Sequence, residues 1–189
     1  MKRFLIMALT LTMHNAWADI RIQVVDNKYQ AIPNAIISLP GYARTTPKTV
    51  AVMEQVHNEF SPRVLVIEKG QSVRFPNNDN IRHHVYSFSK PKTFEIKLYK
   101  GADPDPIVFD KPGLVIVGCN IHDDMIGYIY VADNEFAIKT DHNGYATLPA
   151  QAGDTITIWQ EDIATTINSK KTMILGAADK QRIELYKLP

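Results

Sequence analysis

Apolar and polar residues alternate with a period of two along most of this chain, and each alternating run is short. Ile20-Arg21-Ile22-Gln23-Val24 and Thr155-Ile156-Thr157-Ile158-Trp159 alternate cleanly, and Ala35–Leu39 less so. A period of two gives a strand one buried and one solvated face, whereas a helix would need apolar residues three and four apart. Further runs rich in Val, Ile, Thr, Tyr and Phe are Val64–Glu68, Ser72–Phe75, Val85–Phe88, Phe94–Leu98, Leu114–Gly118 and Gly127–Ala132. Phe136–Thr140, Tyr145–Leu148 and Arg182–Tyr186 follow. Turn residues separate them, among them Lys69-Gly70, Pro76-Asn77-Asn78-Asp79-Asn80, Lys111-Pro112-Gly113 and Asp141-His142-Asn143-Gly144. Many short strands at this spacing predict an all-β sandwich or a pair of them. Only Glu161–Lys171 tolerates a helix.

Composition narrows the function classes. Hydrophobic residues make up 45% of the 189 and charged residues 22%, ordinary for a chain that buries a core. Lys and Arg number 21 against 20 Asp and Glu, so there is no electrostatic basis for non-specific nucleic-acid binding. The single cysteine, Cys119, excludes an internal disulfide framework and any cysteine-rich zinc or iron–sulfur site.

The first 18 residues read as an address. Lys2 and Arg3 precede a short apolar run, Phe4 to Leu11, and Ala16-Trp17-Ala18 supplies small residues where a signal peptidase reads. Cleavage is expected after Ala18, delivering a chain that starts at Asp19 to the periplasm, with no later stretch apolar enough to span a bilayer. A lone thiol in an oxidising compartment is exposed to oxidation unless it is buried or holds a metal.

The residues that carry chemistry are Cys119-Asn120-Ile121-His122-Asp123-Asp124-Met125, a C-x-x-H-x-x-M run read as a loop between two apolar strands. Upstream, Asn77-Asn78-Asp79-Asn80-Ile81-Arg82-His83-His84-Val85 leads into a strand. Two imidazoles, a thiolate and a weak thioether are the donor set of a mononuclear copper electron-transfer site. Zinc suits Cys and His but rarely recruits Met. Taken singly, Cys119 and Met125 would be core filler and His122 a surface residue; the shared spacing is what points to a metal.

These residues resemble the cupredoxins, the plastocyanin, amicyanin and azurin family of type 1 blue-copper proteins, and the exported methylamine-utilisation-like proteins. Asn77, Asp79 and His83 match an N-x-D-x-x-x-H approach, and the resemblance extends over roughly Val52–Val131. It includes Phe60-Ser61-Pro62-Arg63 and Val64–Phe75, similar to the family's opening strands. The short gaps on either side of His122 resemble amicyanin's ligand loop. The resemblance implies a Greek-key sandwich holding one type 1 copper, with His83, Cys119 and His122 as equatorial ligands and Met125 as the axial one. It also implies that Asn77 steadies the cysteine and that the His122 edge is the electron port. His84 directly follows His83, where the family often has a small polar residue; alternation turns it to the other side of the strand, where it is expected partly exposed. His57 and His142 are expected in turns. Asp123 and Asp124 would make the port negative, steer a redox partner with a basic surface, and favour the oxidised site.

The flanks, Asp19–Leu39 and Phe136–Trp159, resemble the two halves of a transthyretin-like, carboxypeptidase-regulatory-like β-sandwich. The implied organisation is a leader (1–18), a first part of that sandwich (19–50), the cupredoxin (51–133) and a second part (134–189). Function then stands between a periplasmic carrier of single electrons, which is not an enzyme, and a copper-binding module for delivery or sensing, or a scaffold. A thiol hydrolase built on Cys119 and His122 is disfavoured, because it needs an accessible low-pKa thiol and gives Met125 no role.

Overall fold

The computed structural model describes residues 19–43, 49–101, 104–163, 166 and 169–186; the leader expected over residues 1–18 lies outside them. Two strands open the chain, β1 (Ile20–Asp26) and β2 (Ile36–Pro40). Ten follow in the middle: β3 (Ala51–Val52), β4 (Glu54–Val56), β5 (Glu59–Ser61), β6 (Val64–Glu68), β7 (Ser72–Arg74), β8 (His83–Ser89), β9 (Lys92–Tyr99), β10 (Ile107–Val108), β11 (Gly113–Cys119) and β12 (His122–Ala132). The last five are β13 (Glu135–Lys139), β14 (Tyr145–Leu148), β15 (Thr155–Trp159), β16 (Lys171–Ile174) and β17 (Lys180–Leu185).

The first two and last five strands share one core. Sheet β14-β1-β17 faces sheet β13-β2-β15-β16, and Ile22, Val24, Ile37, Leu39, Leu148, Ile156 and Ile183 fill the space between them. Strands β1 and β17 pair in parallel, Ile22 beside Gln181 and Val24 beside Ile183, which brings both ends of the described chain together. The alternation of β1 decides its orientation: Ile20, Ile22 and Val24 are buried while Arg21 is exposed. The turn from β13 to β14 needs its glycine, because Gly144 has φ +75° and a Cβ there would meet the Val24 carbonyl oxygen at 2.4 Å. The Asp141 side chain accepts the N–H of Asn143 at 2.9 Å and of Tyr145 at 2.8 Å, an Asx turn.

The middle strands enclose a second core. Sheet β6-β12-β11-β8-β9 packs over β10-β7-β3 and the hairpin β4-β5, burying Met53, Phe60, Phe75, Phe109, Val117 and Ile129. A third apolar cluster joins the two bodies: Ile36, Ala137 and Trp159 of the first meet Val64, Leu114, Tyr128 and Tyr130 of the second. The Tyr128 and Trp159 rings lie 5.1 Å apart, and Arg63 bridges to Glu161 at 2.8 Å beside them. Strands buried on both faces lose their clean alternation, which is why β11 reads as a nearly continuous apolar run.

Two sequence expectations change. Glu161–Lys171 is not helical in its described residues: Glu161–Ile163 form a turn and Lys171 opens the edge strand β16, whose Thr172 and Ile174 favour extension. Strands β3, β4, β5 and β10 were not legible, since two or three residues are too few to show a period.

Candidate metal centre

Cys119 reaches the centre by the register of β11. Val115, Val117 and Cys119 point into the second core, while Leu114 and Ile116 point to the seam between the bodies. The cysteine ends its strand, His122 begins the next, and the two pair across the turn Asn120-Ile121. The C-x-x-H-x-x-M run is therefore a hairpin and not an open loop. The next pair is Gly118 with Ile126, so Asp123, Asp124 and Met125 have no counterpart on β11. That bulge turns Met125 inward, 1% exposed and in the same apolar cluster as Cys119, and leaves Asp123 and Asp124 exposed. Neither aspartate has an ion-pair partner among the described residues.

His83 arrives from the neighbouring strand β8 and is fully buried. Its Nδ1 lies 3.8 Å from the Cys119 sulfur, and the Nδ1 of His122 lies 3.9 Å from the same atom. Donor atoms of His83, Cys119 and His122 all fall within 4.8 Å of one another, with the two rings 5.1 Å apart. Bonds of about 2.3 Å to sulfur and about 2.1 Å to nitrogen subtend roughly 3.8 Å when they open to about 120°. The observed separations match one ion held between the three side chains, so the residues fit a bound metal.

The other face of the His83 ring is fixed by Asp79. Nε2 of His83 and Oδ2 of Asp79 are 2.7 Å apart. The carboxylate also accepts the backbone N–H of His57 at 2.7 Å and of Asn58 at 3.0 Å, both in the β4–β5 turn with positive φ. Burial pushes the Asp79 carboxyl up, but the Asn58 N–H, the His83 ring and the His57 N–H together hold it below the usual carboxylate value. An ionised Asp79 accepts a proton-bearing Nε2, which leaves the Nδ1 lone pair facing the cysteine. The sequence placed Asp79 in the approach motif without a role; only the fold shows what the β4–β5 turn does for it.

Asn77 departs from its expected contact. Its amide donates one N–H to the Ile81 carbonyl at 3.0 Å and the other to the Tyr99 carbonyl at 2.8 Å, while its oxygen accepts the Asp79 N–H at 3.0 Å. Both donors of the amide are used, so the side chain braces the turn carrying Asp79 and has none left for the Cys119 sulfur. His84 lies on the opposite side of the strand from His83 and outside the cluster, yet it is 7% exposed rather than partly open. Glu95 takes its Nε2 at 2.8 Å and the Tyr86 ring covers it at 5.4 Å. His57 and His142 sit in turns away from the centre.

No family model and no curated protein matches this chain. Among solved structures, a copper-containing nitrite reductase from Thermus scotoductus SA-01 is 29% identical with TM-score 0.43; the match covers 49% of this chain and spans 24% of that one. A purple cupredoxin from Nitrosopumilus maritimus is 23% identical with TM-score 0.40, over 43% of this chain and 99% of its own. A reduced amicyanin variant is 16% identical with TM-score 0.40, over 51% of this chain and 98% of its own. Over about half its length, this all-β chain is similar to solved cupredoxins.

Proposed function

We propose that this protein is an exported type 1 copper protein that carries single electrons between periplasmic redox partners, with His83, Cys119 and His122 as equatorial ligands and Met125 as the axial one. The observation that carries the reading is the convergence of both Nδ1 atoms on one buried sulfur, at 3.8 and 3.9 Å, beside an inward-turned methionine. Copper bound there would supply a one-electron couple, and a thiolate–imidazole–thioether set is the donor chemistry that selects it over zinc.

The chain's own residues supply rigidity. The Cys119–His122 hairpin fixes two donors on paired backbone, and the Asp79 carboxylate fixes the ring of the third. Cys119 is 4% exposed and belongs to the same apolar cluster as Val117, Phe75 and Ile129. Asp123 and Asp124, exposed at the hairpin, favour the more positive oxidised state and attract a basic partner. The periplasmic location rests on the basic–apolar–small pattern of residues 1–18; in addition, no described helix is long and apolar enough to cross a membrane. In this reading the chain is a carrier and not an enzyme, and residues 19–50 with 134–189 are one transthyretin-like sandwich hosting the copper module.

The test is the visible and EPR spectrum of the chain from Asp19 onward with one equivalent of Cu(II). An intense thiolate-to-copper band, bleached by ascorbate and absent in Cys119→Ala, is the expected result. A colourless protein with only weak type 2 copper signals would overturn the assignment.

A further inference from the structure

We propose that a groove on the outward face of β8 and β11, beside the hairpin, is the docking surface for a soluble redox protein presenting an apolar patch ringed by Lys and Arg. This rests on the carrier reading above and names the partner's chemistry and where it sits. Phe88 is 83% exposed, an unusual setting for a phenylalanine in a regular strand. Val85 packs inward and Ser87 is buried, so alternation puts His84, Tyr86 and Phe88 in a row on the outward face, with ring centroids 5.4 and 5.2 Å apart.

Tyr86 and Phe88 line a groove together with Ile116 and Ile126, and Cys119 and Met125 also line it. Gly118 makes the arrangement possible. It pairs with Tyr86, and a Cβ on it would lie 3.2 Å from the tyrosine Cζ, so the missing side chain lets the ring lie against the backbone just before Cys119. A partner seated there would rest on the strand that carries the thiolate. The resemblance puts the port at the His122 edge, but His122 does not line this groove.

Charge identifies the occupant. Asp123 lines the groove and Glu95 lines the adjoining hollow with His84 and Asn120, while neither contains a Lys or Arg. Lys97, two residues beyond Glu95 on β9, stands outside both. An apolar aromatic centre with carboxylates at its rim is the anatomy of a contact that recognises a basic partner.

The test uses cytochrome c, a small basic haem protein, as probe. Binding to the metal-free and the copper-loaded chain is measured by calorimetry at low and high salt. Wild type should bind at low salt, Phe88→Ser should weaken binding about tenfold, and Asp123→Asn should weaken it only at low salt. Ile121→Ser, on the exposed turn beside His122, should leave binding unchanged. No binding by wild type, or a loss with Ile121→Ser and none with Phe88→Ser, would overturn the proposal. So would a dimer that sediments as such in wild type and not in Phe88→Ser, because a second copy would then be the occupant. Binding that depends on Phe88 in a protein that takes up no copper would sink the carrier reading and leave the docking surface standing.

Discussion

The Asp79 carboxylate lies 2.7 Å from Nε2 of His83, on the side of the ring away from Cys119, and is itself held by two backbone N–H groups of the β4–β5 turn. A hairpin that supplies none of the three donor side chains thus sets the orientation of one of them. The chain of contacts runs from the His57-Asn58 backbone to Asp79, to His83, to the sulfur. Asn77 braces the turn that carries Asp79, through the Ile81 and Tyr99 carbonyls and the Asp79 N–H.

Asp79→Asn keeps the shape but leaves a single acceptor oxygen, so either the His57 N–H, or the Asn58 N–H together with the His83 ring, must face an amide NH2 that cannot accept. Copper affinity should fall by about 10- to 100-fold, the usual range when a partner of a ligating histidine is removed. The Cys119→Ala phenotype should not be reproduced: the thiolate band should remain, weaker at limiting copper. Competitive chelator titration reads the affinity, and an unchanged value would show that His83 is held by packing alone.

Met125→Leu separates ligation from packing. The side chain is 1% exposed in the second core, and leucine conserves its volume, so the metal-free protein should lose less than about 1.5 kcal/mol. With copper bound, loss of the thioether removes electron density that favours Cu(II), so the reduction potential should rise. Voltammetry beside urea unfolding of the metal-free variant checks both halves. A large stability loss with an unmoved potential would make Met125 a core residue only.

How much of this was legible in the sequence follows from what each feature depends on. Most strands of four or more residues were legible because a buried face writes a period of two and β-branched and aromatic runs stand between turn residues, and β6, β14 and β15 have the boundaries read from that pattern. The clustering of candidate donor types was legible because Cys119, His122 and Met125 are close in sequence. The bulge at Asp123–Met125 was not, since it depends on how β11 and β12 register. The contact of Asn77 was misread because an amide's partners are set by a fold that brings Tyr99 to it across 22 residues. Likewise the burial of His84 comes from Glu95 and Tyr86, on a neighbouring strand and two residues along its own.

Asp141 supplies a pH dependence outside the candidate metal centre. The Tyr145 N–H is the largest influence on its carboxyl and lowers the pKa, burial opposes it, and the Asn143 N–H, His142 and Arg21 add to the lowering. A carboxyl with a depressed folded pKa contributes stability that is present above its unfolded value, about 3.9, and is lost as the pH falls through the folded value. Asp141→Ala should therefore be less stable than wild type near pH 7, and the two unfolding midpoints should converge as the pH drops below about 4. Parallel urea titrations across that range are the measurement; a gap that stays constant into acid would mean the turn is held by its backbone and not by the carboxylate.

Trp159 tests whether the seam between the two bodies contributes stability or is incidental contact. The indole is 2% exposed, lies tilted against Tyr128 with centroids 5.1 Å apart, and sits among Ile36, Ala137, Val64 and Leu114 from both bodies. Truncating a buried aromatic of this size removes its transfer free energy and leaves a cavity that surrounding strands cannot close, at a cost of about 3–5 kcal/mol. Trp159→Ala should lower stability by that amount, and because Leu114 and Tyr128 belong to the strands that carry Cys119 and His122, the bodies should lose cooperativity together. Unfolding followed at once by tryptophan-independent far-UV dichroism and by the thiolate band should show two separated transitions in the variant and one in wild type. Coincident transitions in the variant would mean that the Arg63–Glu161 bridge and the remaining apolar contacts are enough to couple them.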